Sequence, residues 1–68
     1  MNKLAEKIKE LRKEKKLRQS DLAKLLGVTN HAINKWECGK AEPSADTIIK
    51  LSEIFDTTTD YLLGKTDY

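Results

Sequence analysis

The stretch Gln19-Ser-Asp-Leu-Ala-Lys-Leu-Leu-Gly-Val-Thr-Asn-His-Ala-Ile-Asn-Lys-Trp-Glu-Cys-Gly-Lys40 decides the fold. Its first part, 19–26, has apolar residues at helical spacing, and Gly27 ends it because glycine accepts the left-handed backbone that follows many helices. Thr29 is a suitable N-cap for a second pattern at about 30–38, which Gly39 ends. The sequence therefore predicts two short helices that a tight turn holds at a steep angle.

Helical patterns also flank this stretch on both sides. Residues 2–15 form an amphipathic pattern among lysines and glutamates, with the apolar positions Leu4, Ile8 and Leu11. Pro43-Ser44 opens a fourth helix, with the buried positions Ile48, Leu51 and Phe55. A short fifth helix, 59–63, lies between Thr58 as N-cap and Gly64. Because no alternating strand pattern is present, the sequence predicts a compact all-α domain of five helices that spans residues 1–68.

Composition excludes several classes of protein. The single cysteine, Cys38, cannot close an intramolecular disulfide, and no pair of Cys or His has metal-ligand spacing, so we expect neither a disulfide nor a metal. No apolar run reaches the length of a signal peptide or a membrane span, so we expect a cytoplasmic protein without membrane contact.

Charge is distributed unevenly along the chain, although the net charge is only +2. Residues 1–40 hold eleven Lys or Arg and five acids, which gives +6, whereas residues 41–68 hold two and six, which gives −4. Such polarity would turn the first part of the molecule toward a phosphate backbone. A solvated surface with uneven charge explains the same counts equally well.

The third helical pattern separates a polar from an apolar face. At about 100° per residue, an arc of about 140° holds Asn30, His31, Asn34, Lys35 and Cys38. The other side holds Ala32, Ile33, Trp36 and Glu37. Asn pairs with adenine, Lys reaches guanine acceptors and His donates to base or phosphate oxygens, so this face suits base recognition. From composition alone, an ordinary amphipathic surface helix remains the favoured interpretation.

The stretch 19–40 resembles the helix-turn-helix of the lambda-type phage repressor and Cro group, the Xre family. Ala23, Gly27, Ile33 and Trp36 match its small packing residue, its turn glycine and its two core anchors. Pro43-Ser44 and Asp60-Tyr-Leu-Leu-Gly64 are similar to the flanks of its fourth and fifth helices, so the resemblance covers nearly the whole chain. It implies a lambda-repressor-like DNA-binding domain with the helix-turn-helix formed by helices 2 and 3.

The resemblance also implies a function. The chain would be a bacterial or phage-encoded, sequence-specific regulator of transcription at the nucleoid, and a repressor in function. It would read a palindromic operator in double-stranded DNA by inserting helix 3 into the major groove, as a homodimer through its C-terminal helices. Thr66-Asp67-Tyr68 is where longer family members continue.

Roles for single residues follow from the same resemblance. The base-reading positions would be Asn30, His31, Asn34 and Lys35. The phosphate contacts would be Gln19, Arg12, Arg18, Lys40 and Thr29, with Cys38 contributing through its backbone. The structural positions of the helix-turn-helix would be Ala23, Gly27, Ile33, Trp36 and Glu37. Within this set, Arg12 and Glu37 match an ion pair between helices 1 and 3, which we expect to be structural first and DNA-contacting second.

Two positions depart from the family pattern. Arg18 stands where a capping Ser, Thr or Asn is common, so the second helix should lose a cap worth about 1 kcal/mol, or else Arg18 reaches a phosphate. Cys38 replaces a residue that is usually polar or basic. It lies about 10 Å along the helix axis from His31, which is too far for the two to share a metal.

Other functions are less well supported by the sequence. With one His and no Gly-rich phosphate loop or nucleophile–base constellation, an enzyme is not expected, nor is a cofactor or a small-molecule ligand. An antitoxin or interaction adaptor with the same fold is the serious alternative. Its partner would contact the third helix or the end formed by Phe55, Tyr61, Leu62 and Leu63, although these residues suit a core or a dimer interface better.

Overall fold

A computed structural model of the protein describes residues 3–65. Five helices follow one another in this range: α1 Leu4–Glu14, α2 Gln19–Leu26, α3 Asn30–Glu37, α4 Ala45–Ile54 and α5 Thr59–Leu62. The described range contains no strand. The all-α, five-helix prediction is confirmed, and the helix bounds differ from those predicted by no more than two residues. Met1, Asn2 and residues 66–68, which the single-domain prediction also included, lie outside the described residues.

One core joins all five helices. Its buried apolar side chains are Leu4, Ile8, Leu22, Ala23, Leu26, Ile33, Trp36, Leu51, Phe55 and Leu62. α1 and α2 both pack against α3, while α4 packs against α5. Because α3 is enclosed from two sides, one of its faces belongs to the core and only the opposite face is open to solvent.

Three helices begin at the hydroxyl caps that the sequence predicted. The side-chain oxygen of Thr29 accepts from Ala32 N, that of Ser44 from Thr47 N, and that of Thr58 from Tyr61 N. Each cap satisfies a backbone N–H that has no partner within its helix, and each contributes about 1 kcal/mol.

All five helices end in the same backbone motif. A residue in the left-handed region follows each helix, and the next N–H donates to a carbonyl five residues earlier, as Val28 N does to Ala23 O at 3.0 Å. The left-handed residues are Lys16, Gly27, Gly39, Asp56 and Gly64. This motif turns the chain sharply after each helix, which allows five short helices to enclose one core.

Two features of the surface were not expected from the apolar pattern. Leu25 in α2 is 58% exposed and Ile49 in α4 is 50% exposed. Ile48, which we predicted to be buried, is only half-buried, and so is Leu11. None of the described helices is long and apolar enough to cross a lipid bilayer.

Candidate nucleic-acid interface

α3 presents a polar face to solvent and an apolar face to the core. Ile33 is fully buried and Trp36 is 8% exposed. On the opposite face, the predicted base-reading residues are all exposed: Asn30, His31, Asn34 and Lys35. The structure thus brings these four side chains together on one open surface, and the buried residues behind them hold the helix in place. Cys38, which caps the end of α3, is exposed beside them.

The turn between α2 and α3 follows from Gly27 and Thr29. Gly27 has φ 71°, and Thr29 is extended with φ −84° and ψ 155°. The Thr29 Oγ1 accepts a hydrogen bond from Ala32 N at 3.1 Å. Since a hydroxyl group both accepts and donates, Thr29 can cap α3 and still donate to a phosphate oxygen. Its exposed position allows both roles.

A buried carboxylate connects three helices behind the polar face. Glu37, at the end of α3, accepts from Arg12 Nε at 2.6 Å and from the second terminal nitrogen of Arg12 at 3.1 Å. Gln19 Nε2 donates to the same carboxylate at 3.1 Å. A further Arg12 nitrogen donates to Leu17 O at 2.7 Å. The predicted Arg12–Glu37 ion pair is therefore present, and it fixes the start of α2 against the end of α3.

This arrangement separates the predicted phosphate contacts into two groups. Arg18, Thr29 and Lys40 are exposed, whereas Gln19 is half-buried and Arg12 is buried. Gln19 is the first residue of α2, where backbone N–H groups point outward and favour an anion. Arg12 already directs three N–H groups into the protein, so its structural role is the one that the geometry supports.

The link between Gln19 and Glu37 was not predicted. The two residues are eighteen positions apart and belong to different helices, so no local pattern indicates the contact. The contact of Lys7 with Tyr61 was not predicted either, because these residues are also far apart in the sequence. The Tyr61 ring centroid lies 4.3 Å from Lys7 Nζ. That contact joins α1 to α5.

The start of α2 has a cap of a different kind from the hydroxyl caps. Arg18 makes no side-chain cap, as predicted, but Asp21 Oδ2 accepts from Arg18 N at 2.9 Å and from Arg18 Nε at 3.2 Å. The Arg18 backbone N–H, followed by its side chain, lowers the pKa of Asp21. The same side-chain contact raises the pKa of Arg18. Asp21 thus supplies one of the two hydrogen bonds of a capping box, the one that its side chain accepts from the N-cap backbone N–H. Its negative charge is also favourable at the N-terminal end of the helix dipole.

Near the end of α3, Cys38 Sγ lies 3.8 Å from Asn34 Oδ1, which is a weak donor contact between neighbouring helical turns. In the described part of the chain, no group of three His, Cys, Asp or Glu residues could hold a metal ion. The polar face offers amide, imidazole and ammonium groups for recognition.

These features define a helix-turn-helix domain with a rigid, polar third helix. The chain belongs to the helix-turn-helix family, whose model matches residues 8–62. The uncharacterised HTH-type transcriptional regulator YqaE of Bacillus subtilis is 44% identical over 59 residues, which cover 87% of this chain and 51% of that protein. Repressor protein C2 of Salmonella phage P22 is 40% identical over 60 residues, which cover 88% of this chain and 28% of that protein.

Solved structures agree with this assignment. The P22 c2 repressor, crystallised with the synthetic operator 9T, superposes with a TM-score of 0.86 at 38% identity, covering 93% of this chain and 96% of that chain. A transcriptional regulator from Listeria innocua superposes with a TM-score of 0.89 at 28% identity, covering 94% and 60%. The resemblance to lambda-type repressors is confirmed. The chain spans about half the length of YqaE and less than a third of C2.

Proposed function

We propose that this protein is a sequence-specific, double-stranded DNA-binding regulator of transcription that inserts α3 into the major groove. The observation that carries the proposal is the exposed face of Asn30, His31, Asn34 and Lys35 on a helix anchored by Ile33 and Trp36. Amides and ammonium groups held on a rigid helix can match the donor and acceptor pattern of base edges. The P22 c2 repressor, which shares this fold, was crystallised with an operator.

The surroundings of α3 supply phosphate contacts. Gln19 at the start of α2, Thr29 at the turn and Lys40 after α3 lie at the ends of the helices that form the motif. Exposed Arg18 adds a cation. Buried Arg12 has a structural role first, through its ion pair with Glu37. Phosphate contacts at both ends of α3 would fix its register in the groove, whereas base contacts would set the sequence that is bound.

We further propose that the protein acts as a repressor on bacterial or phage DNA in the cytoplasm, in association with the nucleoid. Two phage repressors among its relatives, C2 of phage P22 and the 26 kDa repressor of Escherichia phage HK022, support this choice. A homodimer that pairs through α4 and α5 would place two α3 helices roughly 34 Å apart, which matches one turn of a palindromic operator. Exposed Ile49 on α4 provides apolar surface for such pairing.

Selection of bound duplexes from a random-sequence pool, followed by titration of the selected site at several salt concentrations, tests the function. We expect a palindromic consensus and an affinity that falls steeply with salt, because phosphate contacts release counterions. An adaptor that binds another protein through an apolar surface would select no consensus. Sedimentation of the protein with and without the selected duplex tests the dimer, and a monomer in both cases would refute it.

A further inference from the structure

Two of the five left-handed residues that follow the helices are not glycine. They are Lys16 after α1, with φ 59°, and Asp56 after α4, with φ 54°. Both close the same backbone bonds as the glycines, since Leu17 N donates to Arg12 O at 3.0 Å and Thr57 N to Ser52 O at 2.9 Å. Glycine adopts this conformation without a clash because it has no Cβ atom, whereas the Cβ atom of any other residue is crowded there.

Lys16 is the less expected of the two. Asp and Asn tolerate the left-handed region because their short polar side chains bond locally, whereas Lys has no such compensation. A residue held in an unfavourable backbone conformation is a reason to look for a role of its side chain. Lys16 is exposed to solvent, so its ammonium group is available to a partner outside the fold.

Two further lysines lie near Lys16 in the sequence. Lys13, Lys15 and Lys16, here named the turn lysines, are all exposed, and Lys16 N donates to Lys13 O at 2.9 Å. Among the described residues, the ion pairs are Arg12–Glu37 and Arg18–Asp21, and neither includes a turn lysine. Glu14 lies among them, so residues 13–16 hold three lysines and one acid, a net charge of +2, and this excess of positive charge favours a polyanionic partner.

The position of the turn points to the phosphate backbone. Leu17, the residue after the turn lysines, accepts from Arg12 at 2.7 Å, and Arg12 also contacts Glu37 at the last residue of α3. Gln19 joins the same carboxylate from the start of α2. Leu17 is thus held near the C-terminal end of α3. The turn lysines directly precede Leu17 in the sequence, close to the proposed phosphate contact of Gln19.

We propose that the turn lysines bind phosphates of the duplex that flanks the base pairs read by α3. This inference rests on the proposed function and extends the footprint beyond the operator itself. Duplex DNA carries one charge per roughly 1.7 Å of axis, so flexible ammonium groups find a phosphate without any demand on sequence. The contact adds affinity and salt dependence but no base preference.

Lys16→Gly is a sharp test because the variant removes the ammonium and relieves the backbone at the same time. Its melting temperature should rise by roughly 4 °C, which excludes misfolding as a cause of weaker binding. Asp56→Gly makes the same backbone change in the acidic half of the chain and serves as the matched control. Lys16→Arg keeps both the charge and the backbone conformation.

Each protein is titrated with two duplexes. One ends at the outermost selected base pair, and the other extends about ten base pairs, one helical turn, on each side. On the extended duplex, Lys16→Gly should bind more weakly than wild type, and its plot of log affinity against log salt should be less steep by about 1. On the short duplex, Lys16→Gly should match wild type. Lys16→Arg and Asp56→Gly should match wild type on both.

Two results would overturn the inference while leaving the proposed function intact. One is equal affinity and slope for wild type and Lys16→Gly on the extended duplex. The other is an equal loss on both duplexes, which would place Lys16 within the operator. Failure of the wild-type protein to prefer the selected duplex over unrelated DNA would overturn the proposed function and this inference together.

Discussion

Arg12 Nε donates to Glu37 Oε2 at 2.6 Å, and this bond joins the last turn of α1 to the last residue of α3 inside the protein. The Arg12 side chain is 11% exposed and that of Glu37 is 4% exposed. Each charge has therefore lost most of its hydration, and each depends on the other. The carboxylate also holds Gln19, so the orientation of α3 relative to α2 rests on the same group.

Loss of either partner of this pair should destabilise the protein strongly. We expect Arg12→Ala or Glu37→Ala to lower the free energy of unfolding by about 3–5 kcal/mol, because the remaining charge stays buried without its partner. Urea denaturation followed by circular dichroism measures the change. Arg18→Ala, which breaks the exposed pair with Asp21, is the control and should stay close to wild type. A similar loss in Arg12→Ala and Arg18→Ala would contradict this assignment.

Truncation of Ile33, the core anchor of α3, should destabilise the protein more than truncation of an exposed apolar residue of similar size. Ile33 is fully buried, so Ile33→Ala should cost about 2–5 kcal/mol and Ile33→Val about 0.5–1.5 kcal/mol. Leu25→Ala, at a position that is 58% exposed, should cost much less. The free energies of unfolding from urea titrations decide the order. If Leu25→Ala were as damaging as Ile33→Ala, the Leu25 side chain would have to be covered in solution.

The sequence predicted those elements that depend on local chemistry. Thr29, Ser44 and Thr58 cap helices as expected, because a hydroxyl group and the N–H three residues later are fixed by the chain itself. Periodicity placed Ile33 and Trp36 in the core but did not indicate that Leu25 would be exposed, since exposure depends on which helices pack against α2.

Contacts between residues that are distant in the sequence could not be predicted from the local pattern alone. The Arg12–Glu37 pair was expected only through the family resemblance, and the bond from Gln19 to Glu37 was not expected at all. The left-handed Lys16 was missed because Gly was the only signal used for a helix end. The exposed polar face of α3 was predicted correctly, because one buried face fixes the direction of the other.

The stability of the folded protein at acidic pH should depend on Asp21. Its pKa is lowered in the folded protein by the Arg18 backbone N–H and then by the Arg18 side chain. A lowered pKa means that the contribution is present above the pKa of the unfolded chain, about 3.9, and is lost as pH falls through the folded value. Asp21→Asn should therefore be less sensitive than wild type to acidification below about pH 4.

Thermal melts at a series of pH values from 7 down to about 2 test this difference. Arg18→Ala is an informative second variant, because it removes the side-chain donor and keeps the backbone N–H. It should retain most of the acid dependence of wild type, since the backbone bond is the larger cause. If the melting temperatures of wild type and Asp21→Asn fell in parallel with pH, protonation of Asp21 would not be a cause of the loss of stability.

Base reading and phosphate binding should separate cleanly in variants of Asn34 and Lys40. Both side chains are exposed, Asn34 on the polar face of α3 and Lys40 just after the helix. Asn34→Ala should lose about 1–3 kcal/mol of discrimination at one base pair in each half-site, because an amide can match the edge of only some bases. Lys40→Ala should weaken binding to every duplex alike and reduce the salt slope by about 1. Titration of the selected operator and its single-base variants measures both effects. If Asn34→Ala lost the same affinity on every sequence, α3 would contact the DNA without reading it.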